Sequence, residues 1–359
     1  MHTAVIRTDV SRYIGIGHVM RCLAFAECLK QYNIRPIFII RDHEESVQEM
    51  IKREGHTYIS LPTRCNFDED LSLTLKVINQ YKPIFVLTDL CNINTLEDIE
   101  GYIKYLEHLK GMSNLLVTIE DIFINTKSHP ADILVNMNYG AENIGYQNYH
   151  NSELLLGPTY FIFRDEFIKI ASIKKIIKKE VKNILITMGG NDLLNLTFKV
   201  VKSLVGTDIS NFDFKIVIGS AYSTMKKREL MSILEKSEMN YEILLSPNKM
   251  AELMLWADLA FTACGLTKYE TAVLGTPNIT IAQHKYEHQL MKSYDKTGCT
   301  YYLGYGKEVQ KEDIIYSFNY LVSDWRKRKD MSRRGKSIAN PNGKLRIINK
   351  IKEKLGGIV

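Results

Sequence analysis

Short apolar, β-branched runs alternate with amphipathic stretches from one end of the chain to the other. This alternation narrows the fold more than any other feature. In the first half, strand patterns at 4–8, 36–40, 58–61, 84–87, 115–119 and 133–136 are separated by helical patterns at 19–31, 45–54, 71–80 and 96–109. A run such as Pro36-Ile37-Phe38-Ile39-Ile40 suits a strand covered on both faces, and the intervening helices supply parallel crossovers. The Lys- and Ile-rich stretch 172–182 reads as a connection. The same style then repeats, with strands at 183–188, 214–218, 241–245, 259–262 and 278–282 and helices at 194–204, 223–237, 249–256 and 268–274. Helical stretches near 289–297, 311–322 and 344–355 close the chain. The expected fold is α/β: two Rossmann-like, doubly wound parallel-sheet domains facing a cleft, at 1–173 and 182–340. A C-terminal helix within 341–359 is expected to pack back on the first. Such sheets bind ligands beyond the carboxyl ends of their strands.

The bulk properties remove several classes of function. At 359 residues, 45% hydrophobic and 25% charged, the chain builds ordinary cores without a metal or disulfide staple. Its six cysteines contain no CxxC pair, against both a zinc site and a secreted disulfide framework. There is no apolar run of about 18 residues, so no membrane span is expected. The N-terminus enters a strand pattern without an apolar leader, so a cytoplasmic location is expected. The net charge of +6 is gathered in short patches such as Lys174-Lys175, Lys178-Lys179, 226–228 and 326–329. These read as solvated helix faces, not as an arm for nucleic acid. A monomer suffices for the expected architecture.

Three glycine-bearing loops follow strand patterns and open helices. In Arg7-Thr8-Asp9-Val10-Ser11-Arg12-Tyr13-Ile14-Gly15-Ile16-Gly17-His18, Gly15 and Gly17 permit a tight turn and close approach to a ligand. His18 falls at a helix N-terminus, where the dipole is expected to lower imidazole basicity and favour a neutral base. The plain alternative is a polar residue capping the helix. In the second loop, Gly189-Gly190-Asn191-Asp192, free amides at a helix start suit phosphate oxygens, with Asn191 or Asp192 as an N-cap the alternative. In the third, Cys264-Gly265-Leu266-Thr267 leads to Glu270. Thr267 suits a phosphate and Glu270 a ribose diol, or the two form a capping box. His284 and His288 are spaced four apart but lack a third ligand, so the 284–289 segment reads as a sugar- or ribose-contacting loop, not a metal site. Asp89, Glu120 and Asp121 end strand patterns, where capping and contact with substrate hydroxyls are equally open.

These stretches resemble a known family. Ile14-Gly15-Ile16-Gly17-His18-Val19-Met20-Arg21-Cys22 is similar to the N-terminal signature of the pseudaminic acid pathway's nucleotide-sugar hydrolase and its spore-coat polysaccharide relatives. Leu155-Leu156-Gly157-Pro158-Thr159-Tyr160, with Arg164, Glu166 and Phe167, resembles a second signature. Gly189-Gly190-Asn191-Asp192 with Asn195-Leu196-Thr197 resembles a third, and Lys249 to Met254 with Gly265 to Pro277 a fourth. The markers follow the family order over nearly the whole chain. The resemblance implies a MurG-type GT-B fold and metal-independent, cofactor-free hydrolysis of UDP-2,4-diacetamido-2,4,6-trideoxy-β-L-altropyranose. It implies His18 as the base that activates water. Substrate-side candidates are Gly15, Gly17, Arg21, Asp89, Tyr160 and His284. Nucleotide-side candidates are Gly189, Gly190, Asn191, Asp192, Gly219, Cys264, Gly265, Leu266, Thr267 and Glu270. Three departures fall where sugar and phosphates are expected. Asp89-Leu90-Cys91 stands for Asp-His-Tyr, Leu266 for a small hydroxyl residue, and His284 onward for Asn-Gln. A GT-B glycosyltransferase and a non-catalytic nucleotide-sugar binding subunit are the alternatives.

Overall fold

The computed structural model describes residues 1–10, 16–41, 45–62, 65–91, 97–126, 128–146, 149–219 and 222–357. It divides into two compact units, Met1–Arg164 with Asn342–Val359, and Asp165–Pro341.

In the first unit, β1 (His2–Asp9) is followed by α1 (Gly17–Lys30), β2 (Ile34–Arg41), α2 (Glu45–Arg53), β3 (Thr57–Leu61) and α3 (Phe67–Tyr81). Then come β4 (Phe85–Cys91), α4 (Ile99–Met112), β5 (Leu116–Glu120), β6 (Ile133–Asn136) and β7 (Glu153–Leu156). The seven strands are ordered β3-β2-β1-β4-β5-β6-β7, and every pairing is parallel. Chain order reverses direction beside β1, which makes the β1/β4 boundary the switch point of a doubly wound sheet. Register places Thr8 opposite Asp89, and Cys91 opposite Glu120, so the carboxyl ends of β1, β4 and β5 lie side by side. Val5, Ile37, Ile39, Val86 and Leu116 pack against Tyr102, Leu106 and Leu109 of α4 in one buried cluster. Burial of such apolar surface is what drives the layers together. Beneath the end of β1, buried Arg7 bonds Asp9 and Asp70, and Asp9 reaches Arg41 of β2 at 2.7 Å.

The second unit runs α5 (Asp165–Ile170), β8 (Asn183–Thr187), α6 (Leu196–Leu204), β9 (Asp213–Ile218), α7 (Thr224–Leu234), β10 (Asn240–Leu245) and α8 (Met250–Trp256). It continues through β11 (Leu259–Ala263), α9 (Thr267–Leu274), β12 (Asn278–Ala282), α10 (Lys285–Asp295), β13 (Tyr301–Tyr305), α11 (Lys311–Ser323) and α12 (Trp325–Ile338). Its sheet order, β10-β9-β8-β11-β12-β13, is again wholly parallel, with the switch point between β8 and β11. A terminal helix, α13 (Gly343–Lys354), belongs to the first unit. Lys344 Nζ donates to Ala24 O of α1, and Lys350 pairs with Glu153 of β7 at 3.3 Å.

The unit boundary corrects the expected edge at residue 173. Residues 165–173 pack with the second unit because Glu166 accepts the Ala251 amide at 3.0 Å and α5 lies against α8 and α9. Two strands, β7 and β13, were not expected. β13 is tyrosine-rich and half-buried at a sheet edge, so it lacks the continuous apolar run of the central strands. Among the described residues, no helix is long and apolar enough to cross a membrane.

Candidate functional site

The first unit gathers charged side chains at its switch point. His18 is the second residue of α1, whose start carries no side-chain cap. Its side chain is 10% exposed, and Nδ1 lies 2.7 Å from Asp89 Oδ1. Asp89, at the end of β4, is completely buried. Arg21, one helical turn beyond His18, grips that carboxylate with both ends of its fork, Nε to Oδ2 at 2.6 Å and Nη2 to Oδ1 at 2.5 Å. The thiol of Cys22 approaches Asp89 Oδ2 at 3.4 Å. Arg21 Nη1 also donates to Asp121 Oδ1 at 2.8 Å, and Asp121 Oδ2 stands 3.5 Å from His18 Nε2. Arg21 Nη2 lies 3.2 Å from His18 Nδ1, but both are donors in this arrangement. Each therefore directs its hydrogen to Asp89. Nδ1 thus carries the proton, and Nε2 is the reactive nitrogen.

The electrostatics correct one expectation. Burial pulls the His18 proton affinity down, but the charge and hydrogen bond of Asp89, with Asp121 beyond, outweigh it and leave the pKa above the ordinary histidine value. A helix N-terminus alone favours the opposite direction; two carboxylates at contact distance overcome it. Asp89 is itself held far below the usual carboxylate range. Burial pushes it up, but Arg21 and His18 together outweigh that. The cluster is an oriented imidazole between a fixed anion and a second, partly exposed carboxylate, which is the arrangement of an acid–base group.

Of the other substrate-side candidates, Gly17 opens α1. Gly15 lies outside the described residues. Tyr160 occupies a 3₁₀ turn, Pro158–Tyr160, on which the start of α13 packs. His284 lies in the other unit, preceding α10, its ring stacked on Tyr286 with centroids 5.3 Å apart. Its backbone amide donates to Glu287.

The second unit brings its loops together at the carboxyl ends of β8, β9, β11 and β12. Gly189 takes a positive φ of 78°. Gly219, after β9, backs directly onto Gly190: a Cβ at 219 would lie 2.1 Å from Gly190 O. Asp192 takes the N-capping role that was the alternative to a nucleotide contact. Its Oδ1 accepts from Leu196 N at 2.6 Å and its Oδ2 from Thr197 N at 2.8 Å, capping α6. The start of α9 is the reverse case. Its N-cap is Leu266 in helical conformation, with no side-chain cap, so the capping box of Thr267 with Glu270, the plain alternative for these residues, does not form. Thr267 is already inside the helix, and the first amides of α9 carry no side-chain acceptor from the cap. Asn191 lies in the second loop and Gly265 in the third, both half-buried. Cys264 and Glu270 are buried, and burial pushes the Cys264 thiol up.

One residue at this end was missed from sequence. Gln283 directly follows β12, and its Nε2 donates to Met188 O at 2.7 Å, stitching the segment after β12 to the Gly189–Gly190 loop after β8. Its buried Oε1 has no hydrogen-bond partner. Its position just past a strand is the signal that marks it. Among the described residues, no group of three or more His, Cys, Asp or Glu side chains is arranged to hold a metal ion.

No protein-family model matches the chain. Over 303 residues it is 31% identical to the uncharacterized protein MJ1062 of Methanocaldococcus jannaschii, a match over 82% of this chain and 58% of that protein. The chain thus spans little more than half the length of that relative. Over 355 residues it is 26% identical to the spore coat polysaccharide biosynthesis protein SpsG of Bacillus subtilis, covering 97% of this chain and 96% of SpsG. Among solved structures, MurG of Acinetobacter baumannii matches with a TM-score of 0.67 at 15% identity, over 98% of this chain and 99% of MurG. At that identity the likeness establishes the fold: two Rossmann-like domains of the GT-B class.

Proposed function

We propose that the chain hydrolyses a nucleotide sugar. His18 Nε2 takes a proton from water, the hydroxide oxygen bonds to the anomeric carbon, and the bond from that carbon to the diphosphate oxygen breaks, its electron pair leaving with UDP. Asp89 keeps the proton on Nδ1 and stabilises the imidazolium that forms. The observation that carries this reading is the 2.7 Å contact between His18 Nδ1 and the buried, Arg21-clamped Asp89. The uncapped start of α9, with the Thr267 hydroxyl, receives the diphosphate, and Glu270 the ribose diol. The motif order and the similarity to SpsG favour a sugar of surface polysaccharide biosynthesis. The pseudaminic acid precursor UDP-2,4-diacetamido-2,4,6-trideoxy-altrose is the substrate we assign. The reaction needs no metal or cofactor.

Purified protein incubated with that substrate, without added metal, should release UDP and free sugar at equal rates by NMR. Release only when an acceptor alcohol is supplied would replace water by an acceptor hydroxyl and make the enzyme a glycosyltransferase. Intact bound substrate over long incubation would make the chain a binding subunit.

A further inference from the structure

The second unit carries a surface that catalysis leaves unused. Residues 172–182 and α12 together hold twelve basic and two acidic side chains, a net charge of +10, although the whole chain carries only +6. The remainder is therefore net negative, and the positive charge is concentrated in these two segments. They also form one surface. Lys336 Nζ bonds Ile173 O at 3.0 Å, Trp325 Nε1 bonds Ile177 O at 2.7 Å, and Arg328 Nη2 bonds both Lys178 O and Lys179 O at 2.8 Å. From the other side, Lys175 Nζ reaches the carbonyls of Met254, Leu255 and Ala257 at the end of α8. The segment is thus a strap fixed by its backbone.

What the strap presents outward is mixed. Ile176, between exposed Lys174 and Lys179, is 78% exposed, and Ile173, just before Lys174, is 46% exposed. On α12 the exposed Arg326, Lys329 and Arg333 recur at helical spacing opposite the buried Arg328, Met331 and Gly335. Some of this charge is partly matched, since Lys178 pairs with Asp258 and Arg333 with Asp330. Cations alone would suit any polyanion. Branched aliphatic side chains standing out among them have no role on a nucleic acid, where cations meet the phosphates and aromatic rings stack on the bases. They do suit the headgroup–acyl boundary, where apolar side chains insert while lysines meet anionic headgroups.

We infer that this face, the 172–182 strap with α12, docks the protein on an anionic phospholipid surface. The inference is independent of the reaction assigned above. The test is co-sedimentation of the full chain with phosphatidylcholine vesicles, with and without roughly one-third phosphatidylserine. The expected result is binding to the anionic vesicles only. The partition coefficient should fall at least about tenfold in Ile176→Glu and in the Lys174→Glu/Lys179→Glu double variant, with thermal melting unchanged. Failure of the folded protein to bind anionic vesicles overturns the proposal. So does binding that survives Ile176→Glu and is matched by binding to duplex DNA, which would make the face a general polyanion surface.

Discussion

Asp89 Oδ1 lies 2.7 Å from His18 Nδ1, and both oxygens of the same carboxylate are clamped by Arg21. The three side chains form one unit: the anion fixes the imidazole tautomer, and the guanidinium keeps the anion charged inside the protein.

Replacing Asp89 by Asn should therefore damage both chemistry and stability. An amide can offer Nδ1 a hydrogen-bond donor and so favour the wrong tautomer, and turnover should fall about 10²–10⁴-fold. Buried Arg21 also loses its counter-charge, at a cost of about 3 kcal/mol. Steady-state kinetics and denaturant unfolding read the two effects separately.

Turnover should fall on acidification at a higher pH than an ordinary histidine would give, because Asp89 and Asp121 favour the imidazolium and a base must be neutral. In Asp121→Asn the imidazolium loses one of its anions, the His18 pKa drops, and the acidic limb of the pH–rate profile should move to lower pH. A limb that stays in place would remove Asp121 from the proton-handling group.

The two helix starts of the second unit should respond differently. Asp192→Ala removes the α6 cap and should cost about 1–2 kcal/mol of stability, with turnover of the folded enzyme nearly unchanged. Thr267→Ala removes no cap, so melting should stay constant while KM rises about tenfold, the effect of one lost hydrogen bond to a charged phosphate. Thermal melts alongside kinetics distinguish them.

Gly219→Ala places a methyl carbon 2.1 Å from Gly190 O, a contact only backbone movement relieves. Displacement of the Gly189–Gly190 loop should raise the UDP dissociation constant about tenfold or more and cost about 1–3 kcal/mol, read by calorimetry and unfolding.

The central strands were legible because each is an apolar run between amphipathic helices, as in Ile37 to Ile40. The four-residue β7 and the half-buried β13 were not, since neither length nor burial imposes that pattern on them. His18, Arg21 and Asp89 were each marked by motif or by strand end. The contacts of His18 and Arg21 with both Asp89 and Asp121 depend on β1, β4 and β5 lying in adjacent register, a tertiary fact without a local signal. Thr267 was misplaced by one residue because α9 starts from Leu266 in helical conformation, and a Thr three residues before a Glu reads the same in either register.

The most direct test of water activation by His18 is hydrolysis in water enriched in heavy oxygen, read by mass spectrometry on the released UDP, whose phosphate oxygens do not exchange. Attack at the anomeric carbon predicts UDP free of label, formed at a rate that falls about 10²–10⁴-fold in His18→Ala. Label in the UDP phosphate, or a rate unchanged in His18→Ala, would contradict it.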